Sequence, residues 1–117
     1  MGSKIRCFED VIAWQKARTL SKNVYKVFAK NKDYSFRSQI NRASISISNN
    51  IAEGFERHTN KELQSFLYIA KGSCGEARSM IYLALDLGYI SENNFKIIYN
   101  QTIEVSKLIA GFIKSLK

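Results

Sequence analysis

The 117-residue chain contains no proline. Proline is the strongest interrupter of a helix, because it lacks a backbone donor and its ring crowds the preceding turn. Its absence leaves long helical stretches open. Histidine occurs once, at His58, which excludes any site needing several imidazoles. Two cysteines, Cys7 and Cys74, are present, and their spacing fits neither a zinc site nor a redox pair. Free thiols of this kind point to a reducing compartment, so a cytoplasmic location is expected. No apolar run approaches the roughly 18 residues of a membrane span, and no secretory leader pattern is visible, so no membrane association is expected. Met1-Gly2 is how an acylation signal opens, but Arg6 stands where that signal needs Ser or Thr.

The familiar loops of catalysis are missing as well. There is no glycine-rich phosphate loop, dinucleotide fingerprint or nucleophile elbow. His58 lies between two predicted helices with Glu53 and Glu56 upstream, but an acid–base catalyst also needs an oriented partner. The repeated helical carboxylates and histidines of di-iron bundles are absent. The expectation is a protein that is not an enzyme and takes no cofactor and no metal.

What the chain has in excess is positive charge. Eighteen Lys and Arg stand against ten Asp and Glu, a formal net charge of +8. Such a field favours anionic partners, RNA or DNA first among them, and acidic proteins next.

Four apolar stripes with helical period follow one another. Spacing predicts helices over residues 10–30, 35–55, 60–86 and 92–115. In the first, Ala13, Ala17, Leu20, Val24, Val27 and Phe28 share a face with Trp14 at its edge, and Lys16, Arg18, Lys22 and Lys26 occupy the opposite arc. That basic arc is the candidate nucleic-acid surface. In the second, Phe36, Ile40, Ala43, Ile47, Ile51 and Gly54 align. The alternation Ser44-Ile45-Ser46-Ile47-Ser48 imitates a strand, but the helical period persists over the longer window. In the third, Thr59 and Glu62 form a capping box, and Leu63, Phe66, Leu67, Ala70, Cys74, Ala77, Ile81 and Ala84 make the core face, with Phe66 as the expected anchor. Gly72 and Gly75 inside it suggest close backbone approach. Gly88 reads as the residue that ends this helix, and Ser91 as the cap of the next. Phe95, Ile98, Thr102, Val105, Ile109 and Leu116 form the last face. Short connections make successive helices antiparallel, an all-α up-and-down four-helix bundle in one domain over residues 1–117.

Two helices carry more apolar surface than one bundle requires. Ile45 and Ala52 on the second, and Ile97 and Leu108 on the fourth, point away from the main faces. Such residues mark a candidate interface for self-association or for a protein partner. The densest polar cluster is Asn50, Glu53, Gly54 and Arg57 at the end of the second helix, with Ser73 and Glu76 expected to join it from the third. A structural role, a capped and ion-paired end of the second helix, is the expected one; the functional alternative is a partly buried network that fixes the bend into the third.

At this cluster the chain resembles a known family. Ser46-Ile47-Ser48-Asn49-Asn50-Ile51-Ala52-Glu53-Gly54 and Ser65 through Glu76 resemble its two internal signatures, and Phe8 through Leu20 resembles its N-terminal pattern. The family consists of four-helix-bundle proteins encoded by intervening sequences of bacterial 23S ribosomal RNA genes. Where it often has a proline in the first loop, this chain has Asn31-Lys32-Asp33. The resemblance implies a small cytoplasmic protein that assembles into a ring-like homo-oligomer, a pentamer. More distantly the chain is similar to the accessory variability proteins of diversity-generating retroelements, which implies a positively charged barrel working with nucleic acid. It implies no catalytic residues; Asn50, Glu53, Gly54, Arg57 and Glu76 carry over as signature positions only. The combined expectation is a basic, oligomeric, non-enzymatic scaffold that contacts RNA or DNA through phosphates, with a purely structural or protein-binding module as the alternative.

Overall fold

The computed structural model describes residues 5–116. The Met1-Gly2 reading therefore lies outside the described residues. A short 3-10 turn, Phe8–Asp10, leads into α1 (Ile12–Val27), followed by α2 (Tyr34–Phe55), α3 (Asn60–Asp86) and α4 (Glu92–Ser115). The bundle measures 44 × 24 × 19 Å.

α2, α3 and α4 each begin where a short polar side chain satisfies an orphan backbone N–H, whereas α1 begins after Val11 with no side-chain cap. Asp33 accepts from the Phe36 N–H, Thr59 from Glu62 and Ser91 from Asn94. α3 stops at Gly88, whose φ of +73° is open to glycine at no steric cost. The Tyr89 N–H then bonds back to the Ala84 carbonyl and the Gly88 N–H to that of Leu85, a double closure of the helix end.

Partner numbers across the grooves fall on one helix as they rise on the next. On α3 and α4, Gln64 donates to the carbonyl of Ile113 and the Cys74 thiol to that of Thr102, while Tyr82 packs on Tyr99. Those pairs fix an antiparallel register. α1 packs on α2 and α4, and α3 on α2 and α4, while the backbones of diagonal helices do not approach closely among the described residues. The core runs along the axis through Leu20, Val24, Ile40, Ile47, Ile51, Leu67, Ile81, Ile98 and Ile109, all nearly inaccessible. Burial pushes the Cys74 thiol up to about 11.

The serine-rich stretch of α2 is helical throughout. Ser44 is fully buried, its hydroxyl returns to the Asn41 carbonyl, and its own carbonyl accepts from Ser21 on α1. Its small size permits that close crossing.

Three expectations are corrected. α1 is shorter at both ends than 10–30. Val11 is extended and buried, so the chain enters the bundle through Val11 rather than along a helix. At the other end Phe28 leaves helical geometry to pack edge-on against Phe36. Phe66 does not anchor α3; it is half-buried at the α2–α3 corner, and the fully buried position is Leu67. One residue is a 100° rotation, which takes Phe66 off the bundle axis. Nor do Gly72 and Gly75 mark a close approach, since a Cβ at either would meet nothing within 4 Å. The tight position is Gly54, where a Cβ would lie 2.7 Å from that of Phe66.

Candidate nucleic-acid interface

α1 contains no acidic residue. Its core face turns Ala13, Ala17, Leu20 and Val24 inward, and the helical period then sends Lys16, Arg18, Lys22 and Lys26 to solvent. The four do not form a single surface. Lys16 leans toward α4 and pairs with Glu104 at 3.7 Å, both half-exposed. Arg18, Lys22 and Lys26 follow at steps of four, about 6 Å apart along the helix. The described residues hold one other ion pair, Glu53–Arg57, so these three cations have no carboxylate within pairing distance there.

At the N-terminal end of this row lies a hollow of about 340 Å³ lined by Trp14, Gln15, Arg18, Thr19 and Lys22. Trp14 is half-buried and packs against the core. Phe8 meets it in a T-shaped contact with ring centroids 5.1 Å apart, and the Arg18 guanidinium sits 5.7 Å from the Trp14 ring centroid. Gln15 holds the preceding turn by donating to the Glu9 carbonyl at 2.8 Å. Sequence reasoning placed Trp14 only at the edge of the apolar face. The signal for more was its position four residues before Arg18, which stacks the two on one helical face.

The expected polar network separates into two parts. Asn50 donates to the carbonyl and hydroxyl oxygens of Ser46, at 2.7 and 2.8 Å, and Ser73 donates to the Ser46 hydroxyl at 2.9 Å. Ser46, which has no side-chain charge, thus joins α2 to α3. At the corner, Glu53 pairs with Arg57 at 3.3 Å, Arg57 covers the Phe66 ring at 4.8 Å, and Gly54 makes room for Phe66 beneath. Glu76 hydrogen-bonds to neither part among the described residues. It lines a polar hollow of about 480 Å³ between α2 and α3 with Arg42, Gln39 and Ser73. The i to i+3 spacing put Asn50 beside Glu53, but each side chain finds its partner elsewhere.

The four candidate interface residues also divide. Ile45 and Ile97 are exposed, and Ala52 is half-buried. Leu108 is half-buried against the core and lines an apolar hollow with Ile12 and Phe112. Because α2 and α4 are diagonal, Ile45 and Ala52 cannot form one continuous patch with Ile97 and Leu108. His58 is exposed between α2 and α3. Among the described residues no group of three or more His, Cys, Asp or Glu could hold a metal ion, and no helix is long and apolar enough to cross a membrane.

Residues 9–111 match the family model described as 23S rRNA-intervening sequence protein. A crystal structure from Bacteroides thetaiotaomicron, described as a protein with unknown function from the S23 ribosomal protein family, is similar with a TM-score of 0.82. The match covers 88% of this chain and 99% of that one at 24% sequence identity, a level at which it establishes the shared fold. No curated protein matches the chain.

Proposed function

We propose, on the premise that this chain belongs to the 23S rRNA-intervening sequence protein family, that it is a non-enzymatic scaffold that binds RNA or DNA through phosphate contacts on α1. The observation that carries this reading is the row Arg18, Lys22, Lys26 on a helix without a single acidic residue. Phosphate binding needs only such a row of exposed cations, and it is strongly salt-dependent and weakly sequence-specific. Lys16 contributes less, because Glu104 already neutralises part of its charge.

Titration of labelled RNA hairpins and duplex DNA by anisotropy, at low and moderate salt, tests the proposal. Affinity should fall steeply with salt, and Lys22→Gln should reduce the slope of log K against log salt by about one. No binding at low salt overturns it.

The same reading includes self-association. Ile45 with Ala52 and Ile97 with Leu108 lie on diagonally placed helices. Two different surfaces suit a head-to-tail contact, which closes into a ring when the rotation allows, whereas a twofold dimer uses one self-complementary patch. A ring would also concentrate the positive field of its subunits. The resemblance to the family favours five subunits. The alternative, a protein-interaction module without a nucleic-acid role, rests on the same apolar residues.

A further inference from the structure

Four side chains at steps of four, Trp14, Arg18, Lys22 and Lys26, run along α1 as one gently turning line: an aromatic ring followed by three cations. We infer from this line that the Trp14 hollow takes an unpaired base, and that the preferred partner of the chain is single-stranded nucleic acid rather than a duplex. The inference rests on the proposed phosphate contacts and names the class of strand they serve.

In a duplex the faces of the bases are stacked on one another, so an aromatic wall beside a cationic row gains nothing from them. In an unpaired strand a base can leave the stack, lie on an aromatic ring, and leave its phosphates for neighbouring cations. The site here has the parts for that division of labour. Trp14 is held from below by the core and from the side by Phe8. Such a ring is pre-positioned, so little ordering cost falls on binding. The hollow beside it, about 340 Å³, is wide enough for a base and is bounded by Thr19 and Lys22. Arg18 roofs the ring with a flexible side chain that no described carboxylate holds. It can lift and close over an incoming base, whose other face then rests on Trp14. The adjoining phosphates meet Lys22 and Lys26 one and two helical steps on. Stacking of this kind tolerates any base, and the two neutral polar groups of the rim already donate within α1 and its entry: the Gln15 amide to the Glu9 carbonyl and the Thr19 hydroxyl to that of Gln15.

Trp14 is the only tryptophan in the chain, so its fluorescence reports on this hollow alone. The full chain is titrated at low salt with unpaired oligonucleotides of about 12 nucleotides, ribo and deoxyribo, and with a duplex of equal length. Emission of Trp14 and anisotropy of the labelled strand are read together. Quenching by the unpaired strands but not by the duplex, with tighter binding of the former, is expected. Trp14→Leu should weaken single-strand binding roughly tenfold and leave duplex binding unchanged. Lys22→Gln should weaken both. Should Trp14→Leu fail to fold, judged by circular dichroism, the quench in the unsubstituted protein decides. Equal affinity for both forms with unchanged emission overturns the stacking site while leaving the phosphate contacts standing. Absence of binding to either form overturns both readings.

Discussion

The Tyr89 hydroxyl donates to Oδ2 of Asp33 at 2.8 Å, while Oδ1 of the same carboxylate accepts from the Phe36 N–H at 3.1 Å. One side chain thus caps α2 and ties the α1–α2 loop to the α3–α4 loop, across 56 residues of sequence. The ring of Tyr89 also packs edge-on against Phe36, which in turn packs on Phe28. This end of the bundle is closed by one carboxylate and three rings.

The Asp33 cap makes stability depend on pH in a definite direction. The Phe36 N–H and then the Tyr89 hydroxyl hold the Asp33 carboxyl below its ordinary value. A depressed folded-state value means that the contribution is present above the unfolded-state value and is lost as pH falls through the folded one. Thermal melts from pH 7 to pH 2 should therefore show a steeper acid-side fall for the unsubstituted protein than for Asp33→Asn. Tyr89→Phe, which removes one of the two donors, should fall between them. Identical acid limbs for all three would show that the carboxylate is not held by these bonds.

Leu67 and Phe66 separate the core from the corner. Leu67 is fully buried, so Leu67→Ala should cost about 2–5 kcal/mol through lost burial and a cavity. Phe66→Ala should cost clearly less, because the ring is half-buried and lies under the Arg57 guanidinium. Urea denaturation of the two variants checks the order. The reverse order would return Phe66 to the core.

Glycine replacements divide in the same way. At Gly54 a methyl group would meet the Phe66 Cβ at 2.7 Å and the Leu63 carbonyl oxygen at 3.3 Å. Backbone and Cβ atoms cannot swing aside, so Gly54→Ala should destabilise by about 1–3 kcal/mol. Gly72 and Gly75 face open space, and Gly72→Ala and Gly75→Ala should each stabilise the chain by about 0.5–1 kcal/mol through reduced backbone freedom in the unfolded state. Chemical denaturation decides the sign at each position.

Self-association has its own test. Ile45→Glu places a charge on an exposed apolar position of α2 and should lower the mass measured by light scattering coupled to size exclusion, with helicity by circular dichroism unchanged. A concentration-independent monomer in the unsubstituted protein would defeat the interface proposal. Unfolding of the variant would place Ile45 inside the bundle core.

Helical elements were legible in the sequence because their causes are local. The stripes Ala13–Val24, Phe36–Gly54, Leu63–Ala84 and Ile98–Ile109 repeat with a period set by the geometry of one helix, and the caps Thr59 and Ser91 act within three residues. Gly88 is needed for the same kind of reason, a backbone angle at one position. The exposure of Arg18, Lys22 and Lys26 follows once the apolar face is known. Contacts across the grooves depend instead on register and on which helices are neighbours, and no local period encodes either. Tertiary structure alone therefore decided that Lys16 meets Glu104, that Ser73 reaches Ser46 from α3, and that Glu76 lines a hollow between α2 and α3. It decided that Leu67 rather than Phe66 reaches the axis, since the two differ by one 100° step and only the position of α2 and α4 tells which step points inward. And it placed α2 and α4 on a diagonal, which divides into two surfaces what the sequence presented as one set of surplus apolar residues.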